Sequence, residues 1–134
     1  MAGRHGGRRD PGAHMTSCLA LALLALMVQS EAGSEPFDGK LAVAYVAMNR
    51  ADQSGRDLVS VLQEPKHFAL NPRARVSEAS WFAARMAFTR QQPDPTHGAD
   101  HFYNPLVKPH PTWYDERYMT VRIGRHTFLK LGGF

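Results

Sequence analysis

Residues 30–50 read SEAGSEPFDGKLAVAYVAMNR, a polar turn followed by a largely apolar run. Ser34 belongs to the residue types that cap helix N-termini, and Pro36 suits a first turn because the N–H it lacks has no helical partner there. Apolar residues then recur at the spacing of one helical face, which predicts a helix that runs to about Arg50. The residues on this face are Leu41, Ala44, Tyr45 and Met48.

The preceding segment is apolar over residues 18–28 and has two interpretations. In the first it is a secretory signal peptide, with an arginine-bearing start and a small residue, Ala32, at its end. In the second it is a buried helix, capped by Thr16 or Ser17 and stopped by Gly33. The apolar core is too short for a stable membrane anchor, which needs about 20 residues.

Two more helices are predicted in the middle of the chain. One covers residues 56–62, and the proline-containing stretch 64–75 after it is predicted to be a loop. Ser77 begins the other helix, which ends by Gln92 because Pro93 follows. The expected buried face of this helix carries Trp81, Ala84, Arg85 and Phe88.

The last third of the chain predicts short strands. Residues 99–103 are expected to be extended, and residues 118–123 alternate as a half-buried strand does. Gly124 and Arg125 form a turn, and residues 126–129 return as the second strand of a hairpin. The fold class is therefore α+β, mostly helical with a small antiparallel β element.

Composition indicates one small domain. The chain has 134 residues, of which 43% are hydrophobic and 21% charged, with a net charge of +4. We predict that residues 1–14 are a flexible arm or a non-native extension and that residues 15–134 form a single domain. The charge is too small to suggest a nucleic-acid-binding surface. The single cysteine, Cys18, excludes an internal disulfide and a cysteine-rich zinc site, and we expect its thiol to be buried.

Glu31 is the first candidate for chemistry. At the end of an apolar helix its carboxyl would be partly desolvated, and the negative helix end acts in the same direction, so its pKa would rise. A carboxyl that keeps its proton near neutral pH can act as a general acid. The alternative is an ordinary exposed glutamate near a helix end.

Histidines are the second candidate set. One hypothesis is a zinc site formed by four histidines with Asp100. The histidines are His97, His101, His110 and His126. Proline and glycine interrupt the segment around the first three, so the spacing does not place two rings on one helical face. We therefore predict no metal and no cofactor, with His126 packing across the hairpin and the others as surface or cleft groups.

Aromatic and amide side chains cluster in residues 101–105, HFYNP, with Trp113 and Tyr114 close behind. Sugar rings stack their C–H faces on aromatic rings, and amide or phenol groups match sugar hydroxyls and N-acetyl groups. The pattern fits carbohydrate binding, and it fits aromatic core packing equally well.

Three blocks of the chain together resemble the SleB-type cell wall hydrolases, the family of spore cortex-lytic enzymes and small phage endolysins. The first block is residues 30–50, the second is residues 95–105, and the third combines Trp113 with residues 123–128. They occur in the family's order, and the similarity extends over roughly residues 19–129.

The resemblance implies a lysozyme-like lytic transglycosylase domain that cleaves the MurNAc–GlcNAc bond of peptidoglycan. Glu31 would be the single catalytic acid, and a 1,6-anhydro sugar would be the product. A catalytic Glu31 also requires the apolar run to be retained as a core helix. Residues 15–134 would then be the catalytic domain of an endolysin or wall-remodelling enzyme. The predicted substrate-binding residues are Tyr45, Thr96, Phe102, Tyr103, Asn104 and Trp113.

The resemblance further implies a monomer that works on peptidoglycan glycan strands in the cell wall or periplasm, after accumulation in the cytoplasm and by an unspecified export route. No nucleic acid and no stable membrane anchor are expected. The chain departs from the family at Gly33, where arginine is frequent, and in the compact loop at residues 65–68.

Three alternatives stay open. A hydrolytic muramidase would want a second carboxylate, for which Glu35 and Asp38 are the nearby candidates. An N-acetylmuramoyl-L-alanine amidase would normally want zinc. A non-catalytic, exported glycan-binding protein would lose residues 1–32.

Overall fold

The computed structural model describes the backbone of residues 11–133 and the side chains of residues 16–133. These residues form four α-helices, α1 (Pro11–Ala32), α2 (Phe37–Ser54), α3 (Leu58–Gln63) and α4 (Glu78–Phe88). Three strands follow, β1 (His101–Tyr103), β2 (Met119–Ile123) and β3 (His126–Leu129), with a turn of 3-10 helix at Glu116–Tyr118 before β2. The predicted fold class, mostly helical with a small antiparallel sheet, is confirmed.

Helix α1 is a core helix. Leu24, Ala25, Met27 and Val28 on it are fully buried, so the apolar run packs inside the domain. Its end at Ala32, just before Gly33, was predicted, but the predicted cap at Thr16 or Ser17 is wrong because the described part of the helix already extends from Pro11 to Ala32.

The early turns of α1 extend beyond the core. Cys18 is exposed, so the prediction of a buried thiol is wrong. Residues 11–14 of the predicted arm are helical, and residues 1–10 lie outside the described residues. No helix in the described part of the chain is long and apolar enough to cross a membrane.

Helix α2 is the central helix of the domain. Every residue from Gly39 to Arg50 is buried, as expected for a helix surrounded by other elements. The predicted Ser34 cap is wrong, because the N-cap position is held by Pro36. The helix also ends later than predicted, at Ser54, where Gly55 adopts the left-handed conformation that closes many helices.

A buried lysine stabilises the turn between α1 and α2. Lys40 Nζ donates to the carbonyl oxygens of Ala32, Gly33 and Glu35 at 3.0, 2.9 and 2.6 Å. Carbonyls at a helix C-terminus have no partners within the helix, so a cation placed there satisfies and stabilises them. The lysine thereby stabilises the end of α1 and the turn that leads into α2.

Helices α3 and α4 begin where their caps indicate. Asp57 accepts from the amide of Ser60, and Ser77, the predicted cap of α4, accepts from the amide of Ser80. The predicted face of α4 is wrong in part, since Trp81 is 42% exposed. Small side chains form the buried face and let α4 approach α1 and α2 closely; they are Ser80, Ala83, Ala84 and Ala87.

The three strands form one antiparallel sheet in the order β1-β3-β2. The predicted hairpin is confirmed, with the turn at Gly124 and Arg125 between β2 and β3. Strand β3 is the central strand and is buried throughout, and Phe128 on it joins the helical core. The sheet thereby places β1 and the start of β3 beside the ends of α1 and α2.

Candidate active site

A cavity of about 730 Å³ opens between the end of α1, the end of α2, the loop after α3 and the β1 region. Glu31 lies in its wall, together with four of the predicted substrate-binding residues. Those four are Phe102, Tyr103, Asn104 and Trp113. A concave site with a few convergent polar groups is the usual form of an active site.

Glu31 is partly buried in this wall. Its Oε2 accepts a hydrogen bond from the amide of Ala69 at 2.8 Å, which fixes the carboxyl against the loop after α3. Burial raises the pKa of Glu31, although the Ala69 hydrogen bond and the positive charge of Arg50 lower it in part. The direction agrees with the desolvation expected from the sequence.

Arg50 is the buried cation beside Glu31. Its guanidinium Nε donates to the carbonyl oxygen of Asp100 at 2.6 Å, and its Nη1 lies 3.3 Å from Nδ1 of His67. The guanidinium carbon also stands 4.7 Å from the centre of the Phe68 ring, in cation–π geometry. Burial lowers the pKa of Arg50, but the charges of Asp100 and Glu31 oppose this, and arginine stays protonated in proteins.

Asp100 and His101 form a second polar pair. The Asp100 carboxylate is fully buried and lies 2.8 Å from Nδ1 of His101, which lines the cavity. It also accepts from the amides of Leu131 and Gly132, both at 2.8 Å. Burial raises the pKa of Asp100, but these hydrogen bonds outweigh it and hold the pKa below its ordinary value. Asp100 therefore stays ionised and fixes the orientation of the His101 ring.

Aromatic rings line the opposite part of the wall. The rings of His101 and Trp113 lie 4.7 Å apart, and Tyr103 packs edge-on against Trp113 at 6.0 Å. Trp113 keeps 36% of its surface exposed, whereas Tyr103 is 8% exposed. Both sequence interpretations of this cluster therefore apply, because Tyr103 packs inside and Trp113 presents a ring to the cavity.

Comparison with known proteins identifies the family. The sequence profile described as cell wall hydrolase matches residues 34–129, which is most of the chain. The chain belongs to the cell wall hydrolase family. A search of curated protein sequences finds no match. The prediction of a peptidoglycan-degrading enzyme is confirmed, and the family acts on the cell wall.

Two solved structures resemble this hydrolase over almost its whole length. The catalytic domain of the Bacillus cereus SleB protein is 28% identical, with a TM-score of 0.71, and the match covers 93% of this chain and 100% of that one. The catalytic domain of the germination-specific lytic transglycosylase SleB from Bacillus anthracis is 25% identical, with a TM-score of 0.72 and coverage of 95% and 100%. The predicted SleB-type resemblance and lysozyme-like fold are confirmed.

The profile match begins at Ser34, three residues after Glu31. The match therefore covers the second and third blocks and most of the first, but it does not include the carboxyl proposed as the acid. Assignment of Glu31 in this hydrolase rests on the sequence resemblance and on the position of its side chain in the cavity wall.

Tyr45 and Thr96 do not line the cavity. Tyr45 is 2% exposed and its hydroxyl donates to the carbonyl oxygen of Gln92, while Thr96 is fully buried and bonds to Asp94 at 2.7 Å. Tyr45 lies in the middle of α2, where every face is covered, and Thr96 closes a turn through Asp94. Neither residue belongs to the cavity lining, and their predicted role in substrate binding stays a prediction.

Several cavity residues were not predicted from the sequence. Arg50 and His67 stand next to Glu31 in the wall, and two lysines lie at the exposed edge. Arg50 is the last residue of the first block. An arginine at the end of a largely apolar helix is the one sequence signal that could have identified Arg50 as a cavity residue. The lysines are Lys66 and Lys108.

Of the four candidate histidines, His97 and His110 are exposed, whereas His101 and His126 line the cavity. His97 and His110 are exposed with positive φ angles of 57° and 27°, and the ring of His110 stacks on Tyr114 at 4.1 Å. His126 is buried at the start of β3, and burial lowers its pKa, against the opposing charge of Glu35. Within residues 16–133, no three His, Cys, Asp or Glu side chains come close enough together to hold a metal ion.

The candidates for a second carboxylate were Glu35 and Asp38. Their positions indicate structural roles. Glu35 is 6% exposed, and its Oε1 accepts from the amide of Arg125 at 2.9 Å, which ties the hairpin turn to the α1–α2 junction. Asp38 is exposed in the first turn of α2, where a negative charge favours the helix. Neither lines the cavity.

Proposed function

We propose that this hydrolase cleaves the bond between N-acetylmuramic acid and N-acetylglucosamine by a lytic transglycosylase mechanism with one catalytic carboxyl. The observation that carries the proposal is the position of Glu31. Its carboxyl lies in the wall of a large cavity, and burial raises its pKa. A raised pKa keeps more of the carboxyl protonated near neutral pH, as a general acid requires.

In the proposed first step, Glu31 donates its proton to the glycosidic oxygen, and the bond from that oxygen to C1 of the muramic acid breaks. The muramic acid ring becomes an oxocarbenium-like centre, and Glu31 is left as a carboxylate. In the second step the C6 hydroxyl of the same sugar attacks C1 while its proton passes to Glu31. The product has a 1,6-anhydro bond, Glu31 regains its proton, and no water is consumed.

The surroundings of Glu31 suit both of its proposed states. The Ala69 amide donates to Oε2, and the buried Arg50 supplies a positive charge, so the carboxylate formed in the first step is stabilised. Burial acts in the other direction and favours the protonated state. The balance lets one group give up a proton and take it back within a turnover.

A hydrolytic muramidase receives less support. Glycosidases that use water generally place two carboxyl groups on the two sides of the scissile bond. In the described part of the chain, Glu31 is the only carboxylate that lines the cavity. Glu35 and Asp100 are buried elsewhere, bonded to backbone amides of the hairpin turn and of residues 131–132.

An amidase also receives less support, because its usual chemistry needs about three protein ligands around zinc. The described histidines and carboxylates do not assemble such a set. The glycosidase proposal needs only groups that are already placed in the cavity wall.

Phe102, Tyr103, Asn104 and Trp113 are the proposed sugar-binding residues. Asn104 Oδ1 accepts from the amide of Leu106 at 2.9 Å and so shapes the loop, and we propose that its NH₂ group donates to a sugar hydroxyl or N-acetyl oxygen. Trp113 supplies an exposed ring for stacking on a sugar.

Replacing Glu31 by glutamine tests the proposal. Glu31→Gln keeps the shape and the acceptor for Ala69 but removes the transferable proton. We expect turnover of purified peptidoglycan to fall by at least about 10² to 10⁴-fold, the usual contribution of general acid catalysis.

Asp38→Asn is the matched control, since it removes the exposed carboxyl nearest in sequence and should keep near-normal turnover. Near-normal turnover of a folded Glu31→Gln protein would contradict the assignment. A large loss in Asp38→Asn would favour a second carboxylate.

A further inference from the structure

The cavity is lined by more positive than negative charge. Lys66, Lys108 and Arg50 contribute three cations, and Glu31 is the one carboxylate among the described lining residues. The cations therefore outnumber the negative group even when Glu31 is ionised. A concave site lined by one sign of charge attracts ligands of the opposite sign.

Some surface cations in the described part of the chain are paired with carboxylates, and the two cavity lysines are not. Arg56, Arg90 and Arg117 each have a carboxylate partner, at 2.9, 2.7 and 2.7 Å respectively. Within residues 16–133, neither Lys66 nor Lys108 has an acidic side chain within 4.0 Å. Both are exposed at the cavity, so their charges are available to a bound ligand.

The backbone at Lys66 carries a further indication. Its φ angle is 68°, in the left-handed region that residues other than glycine, asparagine and aspartate seldom adopt. Strained backbone of this kind clusters at ligand and active sites, and of the four described residues other than glycine with a positive φ, Lys66 is the one that lines the cavity. The chain thus places a lysine, and not a glycine, at a strained position in the loop that also presents Ala69 to Glu31.

We propose that Lys66 and Lys108 bind a carboxylate carried by the glycan strand, so that the enzyme selects anionic over neutralised peptidoglycan. This inference rests on the proposed function, since it concerns the same cavity. The glycan has two sources of this group: the lactyl ether of a muramic acid without peptide, and the acidic residues of the stem peptide. The ammonium group of either lysine, at the cavity mouth, would pair with a carboxylate from either source and would orient the glycan strand across Glu31.

The experiment uses four substrates and compares the wild type with three lysine variants of the full chain. The substrates are peptidoglycan with intact stem peptides, glycan strands stripped of peptide so that lactyl carboxylates are free, and both materials after conversion of their carboxylates to neutral amides. The double variant Lys66→Asn with Lys108→Gln removes both charges, and asparagine tolerates the left-handed backbone. Lys66→Arg with Lys108→Arg restores the charges, and Lys130→Gln alone removes an exposed lysine that does not line the cavity.

We expect the neutral double variant to lose about 2- to 30-fold in kcat/KM on carboxylate-bearing substrate, because each exposed ion pair contributes about 1.4- to 5-fold. The double arginine variant and Lys130→Gln should stay near wild type. On amidated substrate the neutral variant and the wild type should be equal. A loss on peptide-bearing material alone assigns the stem-peptide carboxylate, a loss on stripped strands alone assigns the lactyl carboxylate, and a loss on both shows that the lysines accept either source.

Equal losses on amidated and native substrates would overturn the inference, as would a wild type that cleaves amidated substrate as well as the native one. Failure of the proposed function gives a different result. In that case the wild type leaves glycosidic bonds intact in all four substrates, or Glu31→Gln remains active on them.

Discussion

Glu31 combines a partly buried position with a backbone donor, and these two features set its chemistry. Burial raises its pKa, and the Ala69 amide and the Arg50 charge limit the rise. The sequence predicted the direction, because a glutamate at the end of an apolar helix is desolvated wherever that helix packs. It did not predict Arg50 or Ala69 as neighbours, since both come from elsewhere in the chain.

The raised pKa of Glu31 has a consequence for stability. An acid whose folded pKa lies above its unfolded value is relatively favourable in the fold while protonated, and this advantage is lost as pH rises through the folded pKa. Glu31→Gln is neutral at every pH. The free energy of unfolding of this variant, minus that of the wild type, should therefore increase as pH rises from acid to mildly alkaline. Thermal unfolding of both proteins across this range measures the difference. A difference that stays constant with pH would contradict a raised pKa.

Asn104 offers a second prediction for a single residue. Asn104→Asp keeps the oxygen that accepts from Leu106 but removes the NH₂ donor proposed to contact sugar. We expect kcat/KM to fall about 2- to 13-fold, the contribution of one hydrogen bond, with little change in melting temperature. Asn104→Ala, which also loses the loop contact, is the comparison. An Asn104→Asp protein with full activity would show that the NH₂ group does not contact the substrate.

Among the elements, the contact between the α1–α2 junction and the β2–β3 turn is unusually close. Glu35 Oε1 accepts from the Arg125 amide, and Gly124 in the same turn has a φ of 58°. A Cβ atom added at Gly124 would stand 2.1 Å from Glu35 Oε1, well inside van der Waals contact. Glycine is therefore required here both for its backbone conformation and for the space beside Glu35.

Gly124→Ala should consequently cost more stability than an ordinary glycine replacement. The matched control is Gly55→Ala, because Gly55 has a φ of 71° and nothing lies within 4 Å of its added Cβ. We expect about 1–2 kcal/mol for the control, from the left-handed backbone alone, and a clearly larger loss for Gly124→Ala. Chemical denaturation of both variants measures the two losses. Equal losses would mean that Glu35 moves aside at no cost.

The elements themselves were largely predictable from local sequence. Ser77 caps α4 through a nearby amide, and the alternation of residues 118–129 predicts the hairpin, because both depend on neighbours in the chain. The exposed Trp81 was placed on the wrong face, since hydrophobicity alone favours its burial. Alanines take that place because close packing of α4 on two helices leaves room only for small side chains.

In the molecule as a whole, the cavity is assembled from the ends of separate elements, and this is where prediction from sequence was weakest. Phe102, Tyr103, Asn104 and Trp113 were found because they cluster along the chain. Tyr45 was also predicted to bind substrate, and the position of α2 at the centre of the domain buries it. Which residues of a recognised block reach the cavity depends on tertiary packing.

The whole-domain fold also favours the core-helix interpretation of the apolar run. Residues 24–28 contribute several fully buried side chains to the core, and Glu31 follows them on the same helix. Removal of residues 1–32 would take away both the core face of α1 and the proposed acid. The proposed activity therefore depends on retention of α1.

The bond that is cut and the fate of water test the central proposal most directly. Purified enzyme would digest peptidoglycan in water labelled with heavy oxygen, and mass spectrometry would identify the new ends. We predict muramic acid ends that are 1,6-anhydro sugars without heavy oxygen, because the C6 hydroxyl and not water closes on C1. Reducing ends that contain heavy oxygen, or released stem peptides with intact glycan strands, would contradict the account.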